Sequence, residues 1–186
     1  MLPDEAALHQ TIFSALRSAL SLSASEADQH ILRAYTGVPA AEPSPSTDLC
    51  YYFLQTDPAS KILQESDTRN SQYHATTFIP CRLTLIFYGP SCESWAHRCR
   101  SFFFMDGASS PRRILREAAL YPVPFPQPPS VIYEETGKTW RKRTDLVIDL
   151  RLLNDSAYGS AISGVPQPID TILSTPEVMI HLSDIE

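Results

Sequence analysis

An α+β fold is what this sequence predicts: a mainly antiparallel twisted sheet with helices packed on one face, a long loop and a C-terminal arm. Three observations lead there. Residues 75–88 alternate, with Ala75, Thr77, Ile79, Cys81, Leu83, Leu85 and Phe87 on one face and Arg82, Thr84 and Tyr88 on the other. Residues 139–153 do the same, with Trp140, Lys142, Thr144, Leu146, Ile148, Leu150 and Leu152 opposed to Arg141, Arg143, Asp145, Asp149 and Arg151. Period-two alternation marks a strand buried on one side. Between them, Cys92, Trp95, Ala96, Cys99, Phe102 and Phe103 recur at three and four residues, the apolar stripe of an amphipathic helix. Two one-sided strands and a one-sided helix bury their apolar surfaces together, leaving the second sheet face polar and mixed in charge, open to water or to another subunit.

The length of 186 residues and 43% hydrophobic content suit one domain with a substantial core: a helical start over 4–35, a core over 48–155 and an arm over 156–186. The first helix is expected over 4–22, capped by Asp4, with Leu8, Ile12, Leu16 and Leu20 on one side. A second is expected over 25–35, with Ser25 as cap and Gly37 as its stop. Pro39, Pro43 and Pro45 mark a surface connection. The run from Leu49 to Leu54 suits a strand covered on both faces. Residues 56–73 are polar and predict a projecting loop or hairpin, with a brief strand at Lys61–Leu63.

Tyr88-Gly89-Pro90 stops the long strand sharply, and Ser91 and Glu93 start the next helix, with Ser91 as cap. Ser110-Pro111 opens a short helix over 111–118. Pro122, Pro124, Pro126, Pro128 and Pro129 force 121–130 into extended chain. Val131–Glu135 reads as a short strand, followed by a turn at Thr136-Gly137-Lys138 and the second long strand. Residues 155–176 read as irregular, and Val178, Ile180 and Leu182 as a terminal strand able to close its own sheet or extend a neighbour's edge.

Sites for chemistry are scarce. Gly137-Lys138-Thr139 lacks the glycine five residues earlier that a phosphate loop requires, because Ile132 stands there. Cys92 and Cys99 lie about 10 Å apart along a helix, and His97 points elsewhere, so one zinc ion cannot take all three. Cys50, Cys81, Cys92 and Cys99 all fall in apolar stretches and read as small core residues. Glu134-Glu135 points to opposite sides of a strand and reads as a solvated turn. No secretory signal and no membrane-length apolar run is visible, which predicts a soluble protein made in a reducing cytoplasm. A net charge of −6 argues against a surface devoted to nucleic acid. Two basic clusters stand out: Arg98, Arg100, Arg112, Arg113 and Arg116, and Lys138, Arg141, Lys142 and Arg143. Each reads as solvated surface or as a patch facing DNA or an acidic subunit.

The run Leu85-Ile86-Phe87-Tyr88-Gly89-Pro90, then Ala96, Ile114-Leu115, Leu120-Tyr121-Pro122 and Trp140-Arg141-Lys142-Arg143-Thr144-Asp145, resembles the neck or tail-terminator proteins of tailed phages and prophages. The resemblance covers about residues 48–155 and rests on short structural motifs. It implies a non-enzymatic virion subunit of the neck and tail, assembled in the bacterial host cytoplasm, with no catalytic residue, cofactor or metal. Such subunits close into a ring, usually hexameric, on the end of the tail tube, stop its growth and present a surface for head joining. The implied partners are further copies of the chain, the tail-tube protein and head-connector or neck proteins, with phage DNA passing through the lumen and no membrane. Arg112, Arg113, Arg141, Arg143, Asp145, Asp149 and Arg151 are then candidate subunit-interface residues, setting register between copies. The alternatives are a head-side connector or tail-completion protein, a small cytoplasmic enzyme using Cys81, Cys92 or Cys99, and a DNA-binding module.

Overall fold

The computed structural model describes residues 4–34, 44–57, 62–69, 72–107, 110–124, 127–136 and 139–160. Helices α1 (Glu5–Leu20) and α2 (Ala24–His30) come first. They are followed by β1 (Ile31–Arg33), β2 (Leu49–Thr56), β3 (Ile62–Arg69), β4 (Gln72–Tyr88), α3 (Cys92–Phe102), α4 (Pro111–Glu117), β5 (Leu120–Pro122), β6 (Ser130–Thr136) and β7 (Thr139–Ser160). All strands join one open sheet in the order β1-β2-β4-β7-β5, with β3 beside β4 and β6 beside β7. Every pairing is antiparallel except β1 with β2. This is the expected α+β architecture.

The centre is the β4–β7 pair. Its register places Phe87 opposite Thr144, Leu85 opposite Leu146, Leu83 opposite Ile148, Cys81 opposite Leu150 and Ile79 opposite Leu152. Those side chains are buried against α1, α3 and α4, whose Ile12, Leu16, Ala96, Cys99 and Leu115 are also fully buried. The stripe on α3 is as the periodicity indicates: Cys92, Ala96, Cys99 and Phe103 are buried, while Trp95 and Phe102 pack at its margin. Thr77 and Asn154 close the far end of the stack, their side chains 3.4 Å apart.

Caps hold the helices where the sequence starts them, with two corrections. Asp4 accepts from the Ala6 amide of α1, and Ser110 from the Arg113 amide of α4. The second helix starts earlier and ends sooner than 25–35. Ser23 and Glu26 form a reciprocal capping box, and Ile31–Arg33 leave the helix to pair in parallel with Cys50–Tyr52. Ser91 makes no side-chain cap. Its amide instead donates to Asp48 Oδ1 at 2.7 Å. The same loop explains Gly89, which has φ +97°. A Cβ there would lie 2.6 Å from Asp48 Oδ1 and from the Thr47 carbonyl.

Other expectations shift. The 56–73 segment is a hairpin arm, as one of the two options held, but its strand β3 is eight residues long, not the brief Lys61–Leu63. β7 does not stop at Leu153. It runs to Ser160 because Gln72–Thr77 of β4 pair alongside it, so 155–160 are strand and not irregular chain. β2 is covered on one face only: Cys50 and Tyr52 are buried, whereas Tyr51 and Phe53 are partly exposed. The proline-rich stretch begins as β5, and Val123 donates to the Asp149 carbonyl at 2.8 Å. Pro39, Pro43, the terminal strand at 178–182 and most of the C-terminal arm lie outside the described residues.

Candidate interface surfaces

The face of the sheet turned away from the helices differs from the one the charge pattern suggests. It is not simply polar. Row by row across the register, Asp145, Ile86, Tyr51 and Leu32 form one line, Val147, Thr84 and Phe53 the next, and Asp149, Arg82 and Gln55 a third. Further down, Phe78 lies opposite Leu153. Ile86, Val147, Tyr51 and Phe53 are each partly exposed, though less so than Trp140 or Tyr133. An apolar band therefore crosses the open face, bounded by charge on both sides. The Val147 and Leu153 positions escape notice in the sequence because the charged residues around them dominate the alternation.

Above that band is a half-buried charge cluster. Arg143 donates to Glu134 at 2.8 Å and to Asp145 at 3.1 Å. Burial raises the Asp145 carboxyl above its ordinary value, and Arg143 pulls it back only in part. Burial also raises Tyr88, helped by the neighbouring Glu134. Glu134 is thus an ion-pair member, while Glu135 is exposed on the opposite side of the ribbon. Below the band, Arg82 meets Asp149 at 2.9 Å with both side chains more than half exposed, so that pair contributes about 1 kcal/mol or less.

The candidate interface residues divide between two places. Arg141, Arg143, Asp145, Asp149 and Arg151 share the open face of β7, with Arg151 opposite Pro80 and Tyr121. Arg112 and Arg113 belong to α4 in the helical layer. There Arg112 donates to Asp106 at 2.9 Å and Arg113 to Glu117 at 2.9 Å. The seven do not form one patch.

A second exposed apolar surface was not anticipated. β4 ends at Tyr88, opposite Arg143, so the β6–β7 hairpin continues past it as a two-stranded ribbon. Trp140 and Lys142 have the parity of the buried face, as the alternation predicts, yet the start of α3 reaches only Lys142 and leaves Trp140 uncovered. Trp140 is 70% exposed, Tyr133 64% and Val131 43%. Tyr133 lies opposite Lys142, which is ion-paired to Glu93 in the first turn of α3, and Trp140 lies one diagonal step away. Pro45, Tyr88, Gly89 and Pro90 border a shallow groove of about 240 Å³ beside Trp140.

Catalytic chemistry finds no support in the cysteines. All four thiols are free and buried. Burial pushes Cys81 up to about 11 and raises Cys50 and Cys99 as well, the opposite of what a nucleophilic thiol needs. The cleft of about 420 Å³ beside Cys81 is lined by Gln55, Thr56, Asp57, Pro80, Arg82 and Asp149, with no histidine base among them. Among the described residues, no group of three His, Cys, Asp or Glu side chains is placed to hold a metal ion, and no helix is long and apolar enough to cross a membrane.

The sheet is thus covered by helices on one face, with a partly exposed apolar band on the other and an exposed aromatic patch on the ribbon. Residues 10–181 match the phage neck terminator protein family, and the chain belongs to that family. The match is wider than residues 48–155 and takes in α1, α2 and most of the C-terminal segment. The protein is therefore a non-enzymatic neck or tail terminator component of a phage virion at the head–tail junction. No curated protein matches the chain.

Proposed function

We propose that this chain is a ring-forming tail terminator. Copies of it, six in the usual arrangement, close on the end of the tail tube, stop its growth and offer the opposite surface to head-connector proteins. Phage DNA passes through the lumen. The reading rests on the family together with one observation: the sheet leaves an apolar band, Tyr51, Phe53, Ile86 and Val147, partly exposed on its open face. A monomer gains nothing from such a band, whereas a subunit that meets neighbours uses it.

The test is the mass of the purified protein across concentration, by light scattering with negative-stain imaging, alone and with tail-tube protein. A ring, free or seated on tube ends, is the expected result. A chain that stays monomeric and leaves tube ends bare contradicts the reading. Binding to isolated head connectors but not to tubes moves the protein to the head side of the junction.

A further inference from the structure

We infer that neighbouring subunits join head to tail, with the β6–β7 ribbon tip of one copy seated on the open-face apolar band of the next. The inference rests on the ring reading and assigns the two surfaces that build it. Three observations carry it.

The first is placement. The ribbon patch of Val131, Tyr133 and Trp140 has the parity of the helix-covered face. The band of Ile86, Val147, Tyr51 and Phe53 has the opposite parity. Within one copy the sheet itself separates them, so neither can cover the other. Between copies, a contact of one with the other uses each surface once per subunit. That is a heterologous contact, which repeats and closes into a ring when the rotation permits. A band-to-band dimer would leave both ribbon tips bare, and a reciprocal two-fold pairing of tip with band would stop at two copies, which the ring reading excludes.

The second is charge. On the face that carries Trp140, Lys142 is ion-paired to Glu93 and the exposed Glu135 lies directly opposite Trp140, so the patch is close to neutral. The band is bracketed along β7 by Asp145 and Asp149, two residues to either side of Val147. Asp145 and Asp149 are themselves paired with Arg143 and Arg82, so a near-neutral aromatic patch meets an apolar strip whose flanking charges are satisfied within the copy, and the contact sets no unpaired like charges against each other.

The third is size. Two aromatic side chains and a valine, already partly covered within the copy, leave about 250–400 Å² to bury, under half of the ~800 Å² per partner that a stable interface uses. One such contact is weak, and a closed ring gives every subunit two. This accounts for a surface that is tolerated on the free protein and satisfied in the assembly. A flat head or tail protein seated on the ribbon would leave the band unused, so a second copy is the better occupant.

Two variants test it. One removes the tip, Tyr133→Ser with Trp140→Ser. The other places a charge on the band, Val147→Lys, where Asp145 and Asp149 can receive the lysine within the fold. Each variant alone is expected to raise the concentration for half-assembly at least about thirtyfold, as loss of a hot-spot contact does. Mixed, they retain one intact tip and one intact band between them, and the expected product is a one-to-one dimer that cannot grow. Urea denaturation of each variant checks folding, and Trp140→Ser alone serves if the double change unfolds. Rings from either variant that match the wild type, or a mixture that shows no one-to-one pairing even at the highest soluble concentration, overturn the inference and leave the ring reading in place. A wild type that never assembles, even on tubes, overturns the ring reading itself. Assembly lost only toward head or tube protein, with self-assembly intact, assigns the surfaces to those partners and overturns the inference too.

Discussion

The two faces of the β4–β7 pair come from the same residues taken alternately, and they meet opposite fates. On one, Leu83, Leu85, Phe87, Leu146 and Ile148 are wholly buried beneath three helices. On the other, Thr84, Ile86 and Val147 are partly exposed, and Arg82 with Asp149 faces solvent. Apolar side chains on the first face hold the subunit together. Apolar side chains on the second have no such task within one copy. The difference teaches that alternation alone does not tell a covered face from an open one: a valine one position out of phase with the core, between two aspartates, is left partly exposed on the open face.

The comparison breaks most visibly on the covered face. Ile148→Ala leaves a cavity between α3, α1 and the sheet, and is expected to lower unfolding stability by about 2–5 kcal/mol in urea titration. A loss below about 1 kcal/mol would mean that the helices do not seal this face. At the hinge where β4 turns into α3, Gly89→Ala is expected to cost about 1–3 kcal/mol, because its φ of +97° strains any side chain and Asp48 and Thr47 occupy the space. Thermal melting of that variant compared with Gly107→Ala, where the nearest atom to an added Cβ is 3.8 Å away, isolates the effect.

A smaller effect sharpens the comparison from beneath α1. His9 is buried beside Tyr52, and desolvation lowers its pKa below the ordinary value of about 6.5. The unfolded chain then takes a proton that the folded chain refuses. Its contribution is fully present above about pH 6.5 and is lost as pH falls through the depressed folded value. The urea midpoint should therefore fall between pH 7.5 and pH 5.5, and His9→Gln should flatten that slope. An unchanged slope in the variant would place the pH dependence elsewhere.

Much of this was legible in the sequence because one-sided burial writes itself as alternation. Residues 75–88 and 139–153 announced both central strands, and Ser110-Pro111 announced α4. What escaped is tertiary. Ile31–Arg33 read as helix because local pattern favours it, and only β2 alongside makes it strand. Asn154, Asp155, Ser156, Gly159 and Ser160 are poor strand formers, held extended by Gln72–Thr77 of β4. Trp140 had the right parity, but parity says nothing of where the helical layer ends. The arginines were visible and their partners were not: that Arg143 serves Glu134 and Asp145, while Arg112 serves Asp106, needs coordinates. The four cysteines read as small core residues from their apolar surroundings, and all four are buried.

The smallest expected change in stability makes the sharpest test. Val147→Lys should be measured twice, for its urea midpoint and for its assembled mass by light scattering. The open-face account expects a stability loss of no more than about 1 kcal/mol together with loss of self-assembly. Stability lost with assembly retained would make the band part of the subunit's own core and contradict the account.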